Sequence, residues 1–246
     1  METTSSSRPL NLPPPPPMTF DPSPNARSVS QHLHTLADPD KAEKMAAYMK
    51  TSMPFYGVQA GPRDQIVKAI APDIHLSSHD DYVALIEALW NLPHREEKYI
   101  AIRLARRFKP FISPASLPLY ERLIRDGAWW DFVDEIATHL VGTVLKKSPD
   151  QTWPTLDRWL HDPDLWIRRA ALLAQNRLKS HTDPQKLFAY CLHLADEEDF
   201  FIRKAIGWAL REYARTAPEA VRDFLNTHAD ALSPLSVREA SKHLNT

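Results

Sequence analysis

Cysteine and glycine are what this chain has least of. Cys191 is the only cysteine, so no disulfide can close within the chain, in keeping with a reducing compartment. Glycine occurs five times in 246 residues, and neither a Gly-rich phosphate loop nor a GxSxG elbow is found. No apolar run is long enough to cross a bilayer, and the first residues lack the apolar core of a secretory signal. An excess of one charge is missing too. Thirty Lys and Arg face 31 Asp and Glu, so any affinity for nucleic acid must come from a local basic surface. The histidines, His32 and His34 among them, lack Cys or carboxylates at ligand spacing, so neither a metal nor another cofactor is expected. The expectation is an intracellular protein without membrane association, cytoplasmic in a bacterium or nuclear in a eukaryote.

What the chain has is helix formers. Ala, Leu, Arg and Glu are common, and scarce glycine favours helices because glycine is costly inside them. Beyond residue 24 proline punctuates helical stretches, as at Pro93, Pro149, Pro184 and Pro218. No alternating run is long enough for a strand. Residues 1–27, with Ser5-Ser6-Ser7 and the run Pro13 to Pro17, read as a disordered tail that can bury little apolar surface. The proline run is expected to be extended, either as a plain tail or as a ligand for a proline-binding domain. From Ser28 to 246 a single domain is expected, with helices over 28–37, 40–52, 62–72, 79–91, 95–109, 114–126, 129–147, 151–161, 164–179, 184–195, 198–215, 218–229 and 234–244. Asp38-Pro39, Ser113-Pro114 and Ser233-Pro234 carry capping side chains for three of them.

A repeat organises these helices. Ile167-Arg168-Arg169-Ala170 matches Ile202-Arg203-Lys204-Ala205, Val237-Arg238-Glu239-Ala240 follows at about the same offset, and Phe132-Val133-Asp134-Glu135 precedes them. The fold class is therefore all-α, an α-solenoid of HEAT-like helical repeats whose units bury their apolar faces against one another. Asp134, Arg169, Lys204 and Glu239 should form a row on its concave face.

That row singles out chemistry. Arg168, Arg169, Arg177 and Lys179 fall together, as do Arg203, Lys204 and Arg211, and Arg103, Arg106, Arg107 and Lys109. Such groups suit phosphate oxygens, or they are solvated helix faces. Trp130 and Asp134 are four apart and share a helix face, and Trp208 shares a face with Lys204 and Arg211. Each tryptophan is core or a platform for a sugar, base or cation; Trp90, Trp129, Trp153 and Trp159 read as core. Asp134 opposite Arg169 reads as a partly buried but ionised acid. Cys191, with no basic neighbour in sequence, reads as a buried thiol.

At these residues the chain resembles the AlkD family of HEAT-like-repeat DNA glycosylases, from about Leu33 to Leu244. The resemblance is carried by the segment from Lys41 to Lys50, by Trp90-Asn91-Leu92-Pro93, Trp129-Trp130-Asp131-Phe132-Val133-Asp134 and Trp166-Ile167-Arg168-Arg169-Ala170-Ala171, and by the segment from Lys204 to Tyr213. It departs from the family at Gly57-Val58-Gln59-Ala60-Gly61-Pro62-Arg63, where the proline of a Gly-Ile/Val-Gln-x-Pro pattern is displaced. The resemblance implies a monofunctional enzyme, acting as a monomer on duplex DNA containing alkylated bases. It would excise cationic purines such as 3-methyladenine and 7-methylguanine without a flipped-base pocket. It places the catalytic acid at Asp134, sugar-facing tryptophans at Trp130 and Trp208, a phosphate-anchoring arginine at Arg169, and cleft residues at Tyr48 and Arg211. Lys204, Arg168 and Arg203 join the expected DNA contacts. A non-catalytic DNA-binding paralogue and a protein-binding scaffold are the other readings.

Overall fold

The computed structural model describes residues 20–244, and among these no strand occurs. The N-terminal half contains α1 (Ser23–Thr35), α2 (Pro39–Met49), α3 (Ala60–Ile70), α4 (His79–Trp90), α5 (Arg95–Arg107) and α6 (Leu117–Gly127). Next come α7 (Trp130–Glu135), a π-helical stretch (Ile136–Val141) and α8 (Gly142–Lys147), which run on from one another. The remainder is α9 (Pro149–Leu160), α10 (Leu165–Leu173), α11 (Pro184–His193), α12 (Phe200–Ala214), α13 (Pro218–His228) and α14 (Pro234–Ala240).

The helical-repeat solenoid expected from the sequence is what the chain forms. Its register is visible in side chains that bond across neighbouring units. Glu87 meets Arg122 and Asp134 meets Arg169, each pair 35 residues apart, and Asp131 meets Arg95 at 36. One contiguous apolar core runs along the stack from Ala26 to Ala240. Trp90 and Trp159 lie in it as expected, whereas Trp153 is only partly buried.

Local chemistry explains the helix ends. The Asp38 carboxylate accepts from the Lys41 amide, and the Ser233 hydroxyl from the Ser236 amide, each at 3.1 Å. Ser113 makes no side-chain cap. Pro114 opens a 3-10 turn instead, and α6 begins three residues later than the proline. The first helix starts at Ser23, where Asp21 accepts from the Ser23 amide at 2.9 Å and Pro24 lies in the first turn. The boundary expected at 28 therefore moves: residues 23–27 are helical, and Ala26 is buried. The proline run lies outside the described residues. Helix α10 stops at Leu173, six residues before the expected end at 179, because Gln175 turns back to bracket Asp183 through both amide atoms, at 2.7 and 3.2 Å.

Two glycines permit backbone approaches that a side chain would block. Gly57 has φ +87°, and a Cβ there would lie 2.0 Å from the carbonyl oxygen of Asp38. At Gly142 a Cβ would lie 2.5 Å from the carbonyl oxygen of Ala174, so this glycine lets α8 close on the end of α10.

Candidate functional site

Asp134 sits in the last turn of α7, just before the π-helical stretch, and Arg169 faces it from α10. The Arg169 fork donates in parallel to both carboxylate oxygens, Nε to Oδ1 at 2.7 Å and Nη2 to Oδ2 at 2.8 Å. Its remaining Nη1 donates to the carbonyl of Phe201 on α12. The Asp134 and Arg169 side chains are 15 % and 6 % exposed, so the pair is largely buried and the acid is the more exposed partner. Burial raises the Asp134 pKa above the ordinary carboxylate range, and the Arg169 bonds pull it back. A carboxylate gripped by a bidentate guanidinium fork is ionised at neutral pH.

The π-helical stretch tells against a uniform helix over 129–147. Such stretches insert an extra residue into a turn and are frequent at functional sites. Here the Thr138 hydroxyl donates to the Asp134 carbonyl at 2.8 Å, which ties the turn bearing Asp134 to the π stretch. Trp129 caps the N-terminal end of α7 in extended backbone and packs on Trp166 and Phe201, with ring centroids 5.7 and 5.4 Å away. It is partly buried, and its indole N–H has no partner. Trp130 and Trp208 are also partly buried. Trp208 lines a cavity of about 530 Å³ together with Thr138, Arg177 and Tyr213.

The expected row resolves into two ion pairs, Asp134 with Arg169 and Glu239 with Lys204. Lys204 reaches Glu239 at 2.9 Å, Arg211 reaches the other oxygen at 2.6 Å, and Lys242 donates to both. Lys242 foremost, then Lys204, hold the Glu239 carboxyl down at about 2 against the effect of its burial. Three cations thus share one acid. Tyr48 is 73 % exposed on α2, a helix with no buried residue.

Two expected DNA contacts also donate within the fold, Arg168 through both of its Nη atoms and Arg203 through Nε. Arg168 donates to the carbonyls of Asp162 and Pro163, at 2.7 and 2.9 Å, and pairs with Glu197. Arg203 donates to the carbonyl of Glu197 at 2.8 Å. Arg169 likewise donates within the fold, to Asp134 and to a backbone carbonyl.

Sequence reasoning missed a second buried pair. The Arg95 fork holds Asp131 at 3.1 and 2.6 Å, and the Tyr99 hydroxyl donates to the same carboxylate. Its signal was the recurrence of an Arg–Asp pair one repeat earlier. Glu96 is fully buried and accepts the amides of Tyr56, Gly57 and Val58 at 3.0, 2.8 and 3.0 Å. It thereby fixes the segment in which the family's proline is displaced. Cys191 is buried and burial pushes its thiol pKa upward, as befits an inert thiol. Among the described residues, no group of His, Cys, Asp and Glu could hold a metal ion, and no helix is long and apolar enough to cross a membrane.

The family model for the DNA alkylation repair enzymes matches residues 29–244. A solved structure of a predicted DNA alkylation repair enzyme from Enterococcus faecalis is 32 % identical, with a TM-score of 0.78, and the likeness covers 85 % of this chain and 96 % of that one. No curated protein matches the chain significantly. The chain belongs to the DNA alkylation repair enzyme family.

Proposed function

We propose that this member of the DNA alkylation repair enzyme family is a monofunctional DNA glycosylase that removes positively charged alkylated purines, of the 3-methyladenine and 7-methylguanine type, from duplex DNA. The observation that carries the reading is the Asp134 carboxylate, largely buried, held by the Arg169 fork and retaining a small exposed surface. Alkylation at N3 or N7 leaves the base cationic, so it departs with the bonding electrons and needs no strong acid. What the enzyme must supply is a fixed negative charge beside the sugar as it becomes an oxocarbenium ion, and a place for the attacking water.

Asp134 meets both needs. Each oxygen accepts one bond from Arg169 and keeps a further lone pair for water. Because Arg169 and the fold hold the carboxylate in place, little reorganisation accompanies reaction, and a charge of this kind is worth about a hundred- to a thousandfold in rate. Trp130 and Trp208 offer aromatic faces to the deoxyribose. Tyr48, Lys204 and Arg211 contact the DNA backbone, while Arg168 and Arg203 brace the loops that precede α10 and α12. Arg169 acts through Asp134. The backbone is gripped and the base is not swung into a pocket.

Incubation with duplex DNA containing 7-methylguanine tests the proposal by the free base released. Release that disappears in Asp134→Asn, with DNA binding intact, supports it. No release at high enzyme concentration ends the enzymatic reading, and tight, salt-sensitive binding without release selects a non-catalytic DNA-binding protein.

A further inference from the structure

Beside Asp134 three guanidinium groups converge with fewer carboxylates than cations. Arg103 and Arg106 come from α5, and Arg177 from the turn after α10. Arg103 pairs with Asp64 at 2.7 Å and Arg106 with Glu135 at 2.6 Å. Arg177 is exposed and has no ion-pair partner among the described residues. After burial, which is the larger cause, Arg103 and Arg177 both weaken the hold of Arg106 on its proton, against the pull of Glu135. His139 stands in the same cluster, with Nε2 3.8 Å from Glu135. Burial, then Arg106, Arg177 and Arg103, hold its pKa down at about 4, so the ring is neutral at physiological pH.

Like charges crowded in a half-buried place repel, and the crowding is relieved when an anion from outside completes the set. The position also fits. Glu135 and Arg103 line a cavity of about 190 Å³ with Asp131, whereas Arg177 lines the cavity that Trp208 and Thr138 share. The cluster therefore flanks the turn that carries Asp134. Guanidinium forks match phosphate oxygens, and a neutral imidazole adds one N–H donor. Glu135, 41 % exposed, already sets an anionic oxygen against Arg106.

We propose that Arg106, Arg177 and His139 form a phosphodiester-binding subsite next to the reacting nucleotide, in which Glu135 holds Arg106 until a backbone phosphate displaces it. This rests on the reading of the Asp134 face as the DNA-contacting face, and not on the excision chemistry. It also adds Arg106 and Arg177 to the expected basic DNA contacts, where Arg168 has its donors used by the fold.

The test is binding of the full chain to unmodified duplex DNA over a range of salt concentrations. Arg106→Gln and Arg177→Gln should each weaken binding and flatten the plot of log affinity against log salt by about one unit of slope. Arg106→Lys should retain the slope. Glu135→Gln should act in the opposite direction and tighten binding about two- to fivefold, the worth of a half-exposed competing charge. Arg158→Gln, which removes an exposed arginine paired with Glu121 on other helices, should leave the slope unchanged. Wild-type slopes in both arginine variants, or weaker binding in Glu135→Gln, would overturn the proposal. So would absence of binding at low salt, which would end the DNA reading with it. Binding that shows the expected pattern without base release supports the subsite and sinks the glycosylase reading alone.

Discussion

Replacing Arg169 by Gln removes the support of Asp134 while leaving the acid in the chain. Two charge-assisted bonds, at 2.7 and 2.8 Å, are lost, and so is the bond to the Phe201 carbonyl. The carboxylate remains largely buried with no cation beneath it. Taking one partner from a buried pair costs about 3–5 kcal/mol, which in a domain of this size lowers the melting temperature by about 6–20 °C. Burial already raises the Asp134 pKa, and without Arg169 nothing on that side opposes it. The raised pKa sets the sign of the pH effect. The folded variant holds its proton to higher pH than the unfolded chain does, so its stability falls, relative to the parent, as pH rises from the unfolded value through the raised folded one. Activity moves the other way, because only the ionised acid stabilises a sugar cation. Near neutral pH the variant should release base about a hundred- to a thousandfold more slowly, and part of that loss should return on the alkaline side. Arg169→Lys, which keeps a charge but not the fork, should fall between. The assay is single-turnover base release between pH 6 and 9, with melting curves beside it. A folded Arg169→Gln enzyme with the parent's rate and pH profile would refute the assignment of Arg169 to holding Asp134.

Packing sets the other expected outcomes. Gly142→Ala puts a methyl group 2.5 Å from the Ala174 carbonyl oxygen; the overpacking should cost about 1–3 kcal/mol by denaturant unfolding, and base release should fall as the turn bearing Asp134 shifts from α10. Glu96→Ala strands three amides, two of them buried, and should destabilise by about 3 kcal/mol or more, with faster hydrogen exchange confined at first to the segment 56–58. Tyr48→Ala should leave the melting temperature unchanged, since the side chain is largely exposed, and weaken binding to duplex DNA measured by anisotropy.

How much of this the sequence carried depends on the kind of signal. Helix positions came from composition, proline punctuation and capping residues and the offset of about 35 residues from the recurring Ile-Arg-Arg/Lys-Ala motif, and most helices lie within a few residues of their expected places. Periodicity fixes the face a residue occupies but not where a long side chain ends. Arg168 and Arg203 stand in equivalent positions of successive units, yet both reach around to loop carbonyls, which no helical wheel records. Arg169 and Lys204 align in the sequence and differ in burial: one is 6 % exposed, the other 38 %. The π-helical stretch left no mark either, because the apolar residues over 136–141 pack as well in a widened turn as in an α-helical one. Glu96 reads as an ordinary first-turn acid of α5, and only the folded chain shows it accepting amides from a segment some 40 residues earlier.

The most direct measurement is the release of free 7-methylguanine from duplex DNA by the parent protein and by Asp134→Asn, at enzyme in excess over substrate. Burst-like release by the parent, reduced about a hundred- to a thousandfold in the variant at undiminished DNA binding, is what a preorganised carboxylate beside the sugar predicts. Equal release by both proteins, or none by either, would contradict it.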